Sequence, residues 1–145
     1  MFLGKHVCTL DKENRLSAPA SFREDLASGM VVTQGFDRHV LILTTSAFRE
    51  IYQRAKALNL ADPLARLLLR MVLGNASQAG PDATGQIVIP GDLRDFADLH
   101  DTVLAIGQGD YFEVWSPELW SKQEAQLKDA ESNSVRFSTL SIATR

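Results

Sequence analysis

The same order of apolar and polar segments occurs twice along this chain. Each copy has a short apolar strand, a helical turn started by a proline, and two apolar runs on either side of a polar loop. The apolar segments are 15–18, 30–35 and 39–43 in the first copy and 86–89, 102–107 and 111–115 in the second. Proline starts a helical turn because its ring fixes φ, and paired apolar runs around a short loop are typical of β-hairpins. The pattern therefore predicts two copies of strand, helical turn and hairpin.

Helices are predicted after each hairpin and between the copies. Ser46 and Ser116 are the expected N-caps of the helices that follow the hairpins, because a serine hydroxyl accepts from free amides of the first turn. The first of these helices carries one apolar stripe that is expected to be buried: Phe48, Ile51, Tyr52, Ala55 and Leu58. A further helix begins at Asp62-Pro63 and ends at Gly74. It is apolar nearly all round, which predicts packing between the copies or against another subunit.

The two copies align residue by residue at an offset of 71. The matched pairs are Asp11 with Asp82, Asn14 with Gly85, Arg15 with Gln86, and Pro19 with Pro90. Asn14 and Gly85 both tolerate a left-handed backbone, so each copy is expected to open at a tight turn. Arg23 and Arg94 also align, and the acidic residue beside each predicts an ion-paired structural role.

Composition and charge narrow the class of protein. The chain has 145 residues, of which 45 % are hydrophobic and 23 % charged, as in globular proteins. Its single cysteine, the lack of a secretion signal and the lack of an apolar run long enough to span a bilayer predict a cytoplasmic protein. Residues 1–74 carry 10 basic and 7 acidic side chains, whereas residues 75–145 carry 5 and 11. This asymmetry indicates a polyanionic partner for the first half.

The first turn carries the side chains best suited to DNA. A guanidinium such as that of Arg15 can donate two hydrogen bonds to guanine in the major groove. Asp11 is expected to orient the turn by accepting from Arg15 or from backbone amides, and Lys5 and Lys12 are expected to neutralise phosphates. Asn14 completes the group expected to bind DNA.

Four segments together resemble the MraZ family of bacterial transcriptional regulators. They are, in chain order, LDKENRLSAPASFRE, RLLLRMVLGNAS, PDATGQIVIPGDLRD and VLAIGQGDYFEVW, and the match as a whole covers roughly residues 1–130. The resemblance implies an α+β fold of two pseudo-symmetric AbrB-like modules, each a swapped-hairpin β-barrel with short helices, in a ring-forming oligomer. It further implies that Asp-x-x-x-Arg turns bind short direct repeats upstream of the protein's own cell-wall and division gene cluster.

The second copy departs from the family motif. Gln86 stands where arginine is expected, and in the first copy Asn14 replaces the usual glycine. Glutamine can pair with adenine but carries no charge, so Asp82, Gly85 and Gln86 are expected to be a weaker site. Because one bidentate contact contributes only about 1–3 kcal/mol, several copies of the Arg15 turn in a ring are needed for tight binding.

The expected organisation has four parts. The first AbrB-like repeat spans 1–60, a linker helix 61–74 and the second repeat 75–130, and a Ser/Thr-rich tail without sustained periodicity spans 131–145. The expected partners are double-stranded DNA and further copies of the chain, with no membrane, no metal and no cofactor, and the expected location is the cytoplasm at the nucleoid.

Two other functions are alternatives. One is an oligomeric scaffold with the same fold and no DNA activity, anchored by aromatic residues whose spacing nevertheless favours the core: Tyr111, Phe112, Trp115 and Trp120. The more remote alternative is an enzyme, which would draw on His6, His39, His100 and Cys8. Their spacing matches no metal-binding or nucleophile motif.

Overall fold

Residues 1–141 are described by a computed structural model, and their elements follow the predicted order in both copies. The strands are β1 (Lys5–Thr9), β2 (Arg15–Ser17), β3 (Met30–Gln34), β4 (Val40–Thr44), β5 (Ser77–Ala79), β6 (Gln86–Val88), β7 (Thr102–Gly107) and β8 (Tyr111–Trp115). The helices are α1 (Arg23–Leu26), α2 (Thr45–Ala55), α3 (Pro63–Val72), α4 (Gly91–Phe96), α5 (Pro117–Leu127) and α6 (Ala130–Arg136). The predicted hairpins are β3–β4 and β7–β8, and the fold is α+β with antiparallel sheets.

The two copies exchange strands. The six-stranded sheet has the order β1-β7-β8-β4-β3-β5, so β1 of the first copy pairs with β7 of the second, and β5 of the second pairs with β3 of the first. The two hairpins meet at the β4–β8 pairing in the centre. The short strands β2 and β6 pair with each other as a separate two-stranded ribbon. Each copy therefore completes the other.

The expected closed barrel is not found. No pairing joins β1 to β5 within residues 1–141, so these two strands are the edges of an open sheet. A barrel closes only when its first and last strands share a hydrogen-bonded register. Here β5 has only three residues, and all three pair with β3.

The hydrophobic core is built by both copies at once. Aligned residues of the two copies are buried together, Leu16 with Ile87 and Phe22 with Leu93. Phe112 lies in the same cluster, with its ring centroid 4.9 Å from that of Phe22. Because burial of such side chains contributes about 1.5–3 kcal/mol each, separating the copies would expose the core that stabilises both.

Two expectations about the helices after the hairpins need correction. Ser116 caps α5 as predicted, accepting from the amide of Leu119 at 3.1 Å. The cap of α2, however, is Thr44 and not Ser46, because β4 runs directly into the helix and the Thr44 hydroxyl already accepts from Ala47. The stripe of α2 is also not buried. No residue of α2, all of which is described, is fully buried, and Tyr52 is exposed.

The linker helix α3 packs on one side only. Asp62 caps it and Pro63 opens it, as predicted. Ala65 and Val72 are buried, but Leu64 and Leu67 are 70 % and 62 % exposed. The helix therefore is not enclosed on all sides, and it leaves an apolar face in solvent. None of the helices in residues 1–141 has the length and apolar character needed to cross a bilayer.

The tail is more ordered than its sequence pattern indicates. It forms α6 and a 3-10 turn at Phe137–Thr139, where no regular element was expected. The side chain of Asp129 starts α6 by accepting from the amide of Ser132. No residue of α6 is buried, so this helix is specified by its local cap and carried no apolar period to detect. The last part of the predicted tail, residues 142–145, lies outside the described residues.

Candidate nucleic-acid interface

The first turn is closed by Asp11. One oxygen of its carboxylate accepts from the backbone amides of Glu13 and Arg15, at 2.8 and 2.9 Å, and the Asp11 amide donates to the Arg15 carbonyl at 3.0 Å. Asn14 adopts the predicted left-handed conformation, with φ of 64°. Of the two orienting contacts expected for Asp11, the structure places the backbone contact and not the one to the Arg15 side chain.

The second turn repeats this geometry. Asp82 accepts from the amides of Thr84 and Gln86, at 2.8 and 3.0 Å, and Gly85 has φ of 80°. The hydroxyl of Thr84, which donates at 2.6 Å, is the main reason why the pKa of Asp82 is below its usual value; the Gln86 amide adds to this, and the Arg15 charge contributes less. Asp82 thus closes the second turn as Asp11 closes the first, and the antiparallel ribbon places the two turns at its opposite ends.

Arg15 is presented at the surface. It is the first residue of β2, opposite Val88 in β6, and its side chain is 45 % exposed. Its guanidinium forms an ion pair with Glu13, whose side chain is 70 % exposed. Exposed ion pairs contribute little to stability, so this contact opens at low cost when a better acceptor arrives. Lys12 on the same turn is exposed and has no ion pair within residues 1–141.

Lys5 is not brought to this turn. It begins β1, and the rise of about 3.3 Å per residue places it roughly 13 Å from Thr9, the last residue of the strand, which precedes the turn. Its ammonium lies 3.0 Å from the Glu124 carboxylate in α5. Hydrogen bonds from Lys128, from Lys5 and from Trp120 lower the pKa of Glu124 to about 2. The fold thus places Lys5 beside Glu124 and away from the first turn.

An arginine of the opposite copy lies at each turn, a contact that the spacing of the residues did not reveal. Arg94 in α4 donates to the Asp11 carbonyl at 2.6 Å and to the Asn14 side-chain oxygen at 3.0 Å. Arg23 lies against Gly85, where a Cβ would stand 2.5 Å from its Nε atom. The predicted ion pairs of these arginines are wrong, because they contact turns and carbonyls instead. Their matched positions in the two copies were the available signal.

Asn14 is drawn inward by the same contact. Its side-chain oxygen faces Arg94, and its backbone carbonyl accepts from the amide of Ile89 at 2.7 Å. The residue expected to bind DNA thus has both of these oxygens directed at the second copy.

The residues proposed for an enzyme are dispersed. His6 faces the carbonyl of Leu3 at 2.9 Å, and burial raises the pKa of the Cys8 thiol, which contacts a backbone carbonyl. His39 is buried beside Glu113, and His100 is exposed beside an aspartate. Within residues 1–141 no group of three or more potential ligands could hold a metal ion.

The aromatic residues considered as scaffold anchors belong mostly to the interior. Phe112, Trp115 and Trp120 are buried and Tyr111 is half-buried, as their spacing favoured. The rings of Trp115 and Trp120 pack edge to face, with centroids 5.7 Å apart. These side chains stabilise the sheet and its covering helix α5, so within this chain they are core residues.

The fold and the paired turns define a tandem-repeat α+β protein that presents two Asp-closed turns on one ribbon. The family model described as "MraZ protein, putative antitoxin-like" matches this chain twice, at residues 1–71 and 72–140. The chain belongs to the MraZ family.

Relatives that bear the name "Transcriptional regulator MraZ" align over most of the chain. The protein of Herpetosiphon aurantiacus is 40 % identical over 83 % of this chain and 84 % of its own length. The protein of Thermomicrobium roseum is 36 % identical over 97 % of this chain and 99 % of its own length. The protein of Micrococcus luteus is 35 % identical over 92 % of this chain and 96 % of its own length.

Proposed function

We propose that this chain is a sequence-specific DNA-binding transcriptional regulator. It reads short direct repeats upstream of its own cell-wall and division gene cluster, in the cytoplasm at the nucleoid. The observation that carries the proposal is the Arg15 turn: an exposed guanidinium on a turn whose backbone is held by Asp11. The names of the relatives, which are those of transcriptional regulators, support the same function.

The recognition step is an exchange of acceptors. On DNA, the Arg15 guanidinium leaves Glu13 and donates to O6 and N7 of a guanine, a bidentate contact that discriminates bases by about 1–3 kcal/mol. Lys12 lies beside it and neutralises a phosphate. The held backbone reduces the ordering that binding would otherwise require. In the second turn, the uncharged Gln86 contributes less to the affinity for DNA.

Assembly of several chains supplies more DNA contacts than one Arg15 turn can make. We infer that a second copy of this chain covers the exposed face of α3. An apolar groove of about 200 Å³ between α2 and α3 adjoins this face and is lined by Ile51, Leu68 and Val72, among others. The C-terminal segment exposes a different apolar set, which includes Val135, Phe137 and Leu140. Two unlike patches fit a head-to-tail contact, and such a contact repeated by rotation closes a ring.

A ring gives every Arg15 turn the same direction around its axis. Turns that all point the same way along the DNA can bind direct repeats spaced about one helical turn apart. A two-fold symmetric dimer would instead bind a palindrome.

Fluorescence anisotropy tests the DNA contact. The probe is a duplex from the region upstream of the gene, compared with a scrambled duplex across a salt series. The intact protein is expected to prefer the upstream duplex with a steep negative salt dependence. Arg15→Ala should lose this preference at least tenfold, whereas the aligned control Gln86→Ala should lose little. Equal binding of both duplexes, or an unchanged Arg15→Ala, would contradict the proposal.

Light scattering tests the assembly separately. Leu67→Asp changes a side chain that is 62 % exposed, so it should leave the fold intact and reduce the mass of the assembly. Leu3→Asp is the control, because Leu3 is 63 % exposed but lies at the N-terminus. An unchanged mass for Leu67→Asp would refute this interface. An assembled wild type that binds no DNA would instead support the scaffold alternative.

A further inference from the structure

We propose that Arg94, an arginine of the second copy, is a positioning residue for the DNA-reading turn of the first copy. This inference rests on the proposed function for its consequence in DNA binding. Its structural part, the control of the first turn by Arg94, stands independently and is tested independently.

The contacts of Arg94 show what it does. Its Nη1 atom donates to the Asp11 carbonyl at 2.6 Å and to the Asn14 side chain at 3.0 Å, and its Nε donates to the Leu99 carbonyl at 3.1 Å. The planar guanidinium thus bridges the end of α4 to two residues of the first turn. These are neutral oxygen acceptors inside the protein, so the donors that make these contacts are directed away from any DNA lying on the turn.

The contact acts on the two residues that shape the turn. Asp11 fixes the amides of Glu13 and Arg15, and Asn14 supplies the left-handed step before Arg15. Arg94 therefore acts on Arg15 indirectly, because it contacts Asp11 and Asn14, the two residues that fix the backbone at Arg15. Its loss leaves the Arg15 side chain present but frees the turn to sample other conformations, which binding must then reorder.

The aligned arginine of the first copy, Arg23, takes a similar place at the second turn. Arg23 from α1 lies against Gly85 of the second turn and donates to the Ala18 carbonyl at 3.5 Å. The aligned arginines, 71 positions apart, thus each lie at the turn of the other copy, but within residues 1–141 only Arg94 donates hydrogen bonds to the turn that it faces. This arrangement follows from the β2–β6 ribbon, whose antiparallel pairing places each turn beside the opposite helical turn. It also makes Arg23→Ala a matched control for Arg94→Ala.

Hydrogen exchange measured by mass spectrometry tests the clamp without DNA. In Arg94→Ala, peptides that contain residues 11–15 should exchange about tenfold faster, while peptides that contain 82–86 keep their rates. Arg23→Ala removes no hydrogen bond to residues 11–15, so it should leave the exchange of the first turn unchanged. Faster exchange of both turns in both variants would mean general destabilisation, and unchanged exchange of the first turn in Arg94→Ala would mean no clamp. Either result overturns the inference.

DNA anisotropy tests the functional consequence. Arg94→Ala is expected to weaken binding of the upstream duplex about tenfold, which corresponds to about 1.4 kcal/mol. In an Arg15→Ala background the same change should have no further effect, because Arg94 acts through Arg15. Additive losses would instead indicate a direct DNA contact or a purely structural role, and would overturn the positioning role.

Two milder variants keep the test decisive if Arg94→Ala fails to fold. Arg94→Lys keeps the charge but lacks the forked donors, so it should show the same faster exchange of the first turn and reduced binding. Asn14→Gly keeps the left-handed conformation and removes only the side-chain acceptor, so it should give a smaller loss of the same kind. Full retention of affinity and exchange rates in both variants would refute the clamp. If the wild type binds no DNA, the proposed function fails while the exchange data still decide the clamp.

Discussion

Substitution of Gly85 by alanine probes the second turn with a matched internal reference. Gly85 has φ of 80°, and a Cβ built there would lie 2.5 Å from Nε and 2.8 Å from Cζ of Arg23. The aligned Asn14 has φ of 64°, so the first turn shows which side chain the same backbone accepts. Gly85→Ala therefore adds two costs, one from the backbone and one from Arg23.

The backbone cost is about 1–2 kcal/mol, the penalty for an L-residue in the left-handed region. The second cost is smaller, because Arg23 is long and flexible and gives up only a 3.5 Å contact with the Ala18 carbonyl. A total of about 2 kcal/mol follows. For a chain of this length, that loss lowers the Tm by roughly 4–8 °C.

Thermal unfolding followed by circular dichroism at one protein concentration measures this loss. Gly85→Asn is the control: it adds the same Cβ, but asparagine tolerates the left-handed region, so it should cost less than alanine despite its larger size. In an Arg23→Ala background, Gly85→Ala should keep only the backbone part. A Tm within 1 °C of the wild type for Gly85→Ala, or a larger loss for asparagine than for alanine, would refute the reasoning.

Three further predictions concern other sites. Thr33→Val removes a buried hydroxyl that donates to the end of α3 at 2.7 Å and should cost about 1–2 kcal/mol in urea unfolding, whereas Thr33→Ser should cost less. Burial lowers the pKa of His39 below its ordinary 6.5, so below about pH 6.5 the unfolded chain binds a proton that the folded chain does not. The free energy of unfolding should therefore be highest above about pH 6.5 and fall as the pH drops below it. His39→Gln should flatten that pH dependence. Lys12→Ala should reduce the salt slope of DNA binding by about one, while Lys5→Ala should leave it unchanged.

Much of the candidate site is local, and this part was predictable. The spacing of Asp11, Asn14 and Arg15 and its match at Asp82 indicate two Asp-closed turns, because such a turn is made by hydrogen bonds between residues two to four apart. The place of Lys5 was not predictable in the same way. It depends on Glu124, which is 119 positions away, and no pattern within either segment reports that contact.

The repeat, the hairpins, the cap of α5 and the shape of both turns could be predicted, since each depends on residues that are near neighbours in the chain. Three features required the folded chain: β1 and β5 pair with strands of the other copy, the α3 leucines stay in solvent, and Arg94 holds the turn of Arg15. The strand pairings and the Arg94 contact join residues about 40 to 100 positions apart. Local sequence patterns do not report such contacts, because the contacts form only when both copies pack into one core.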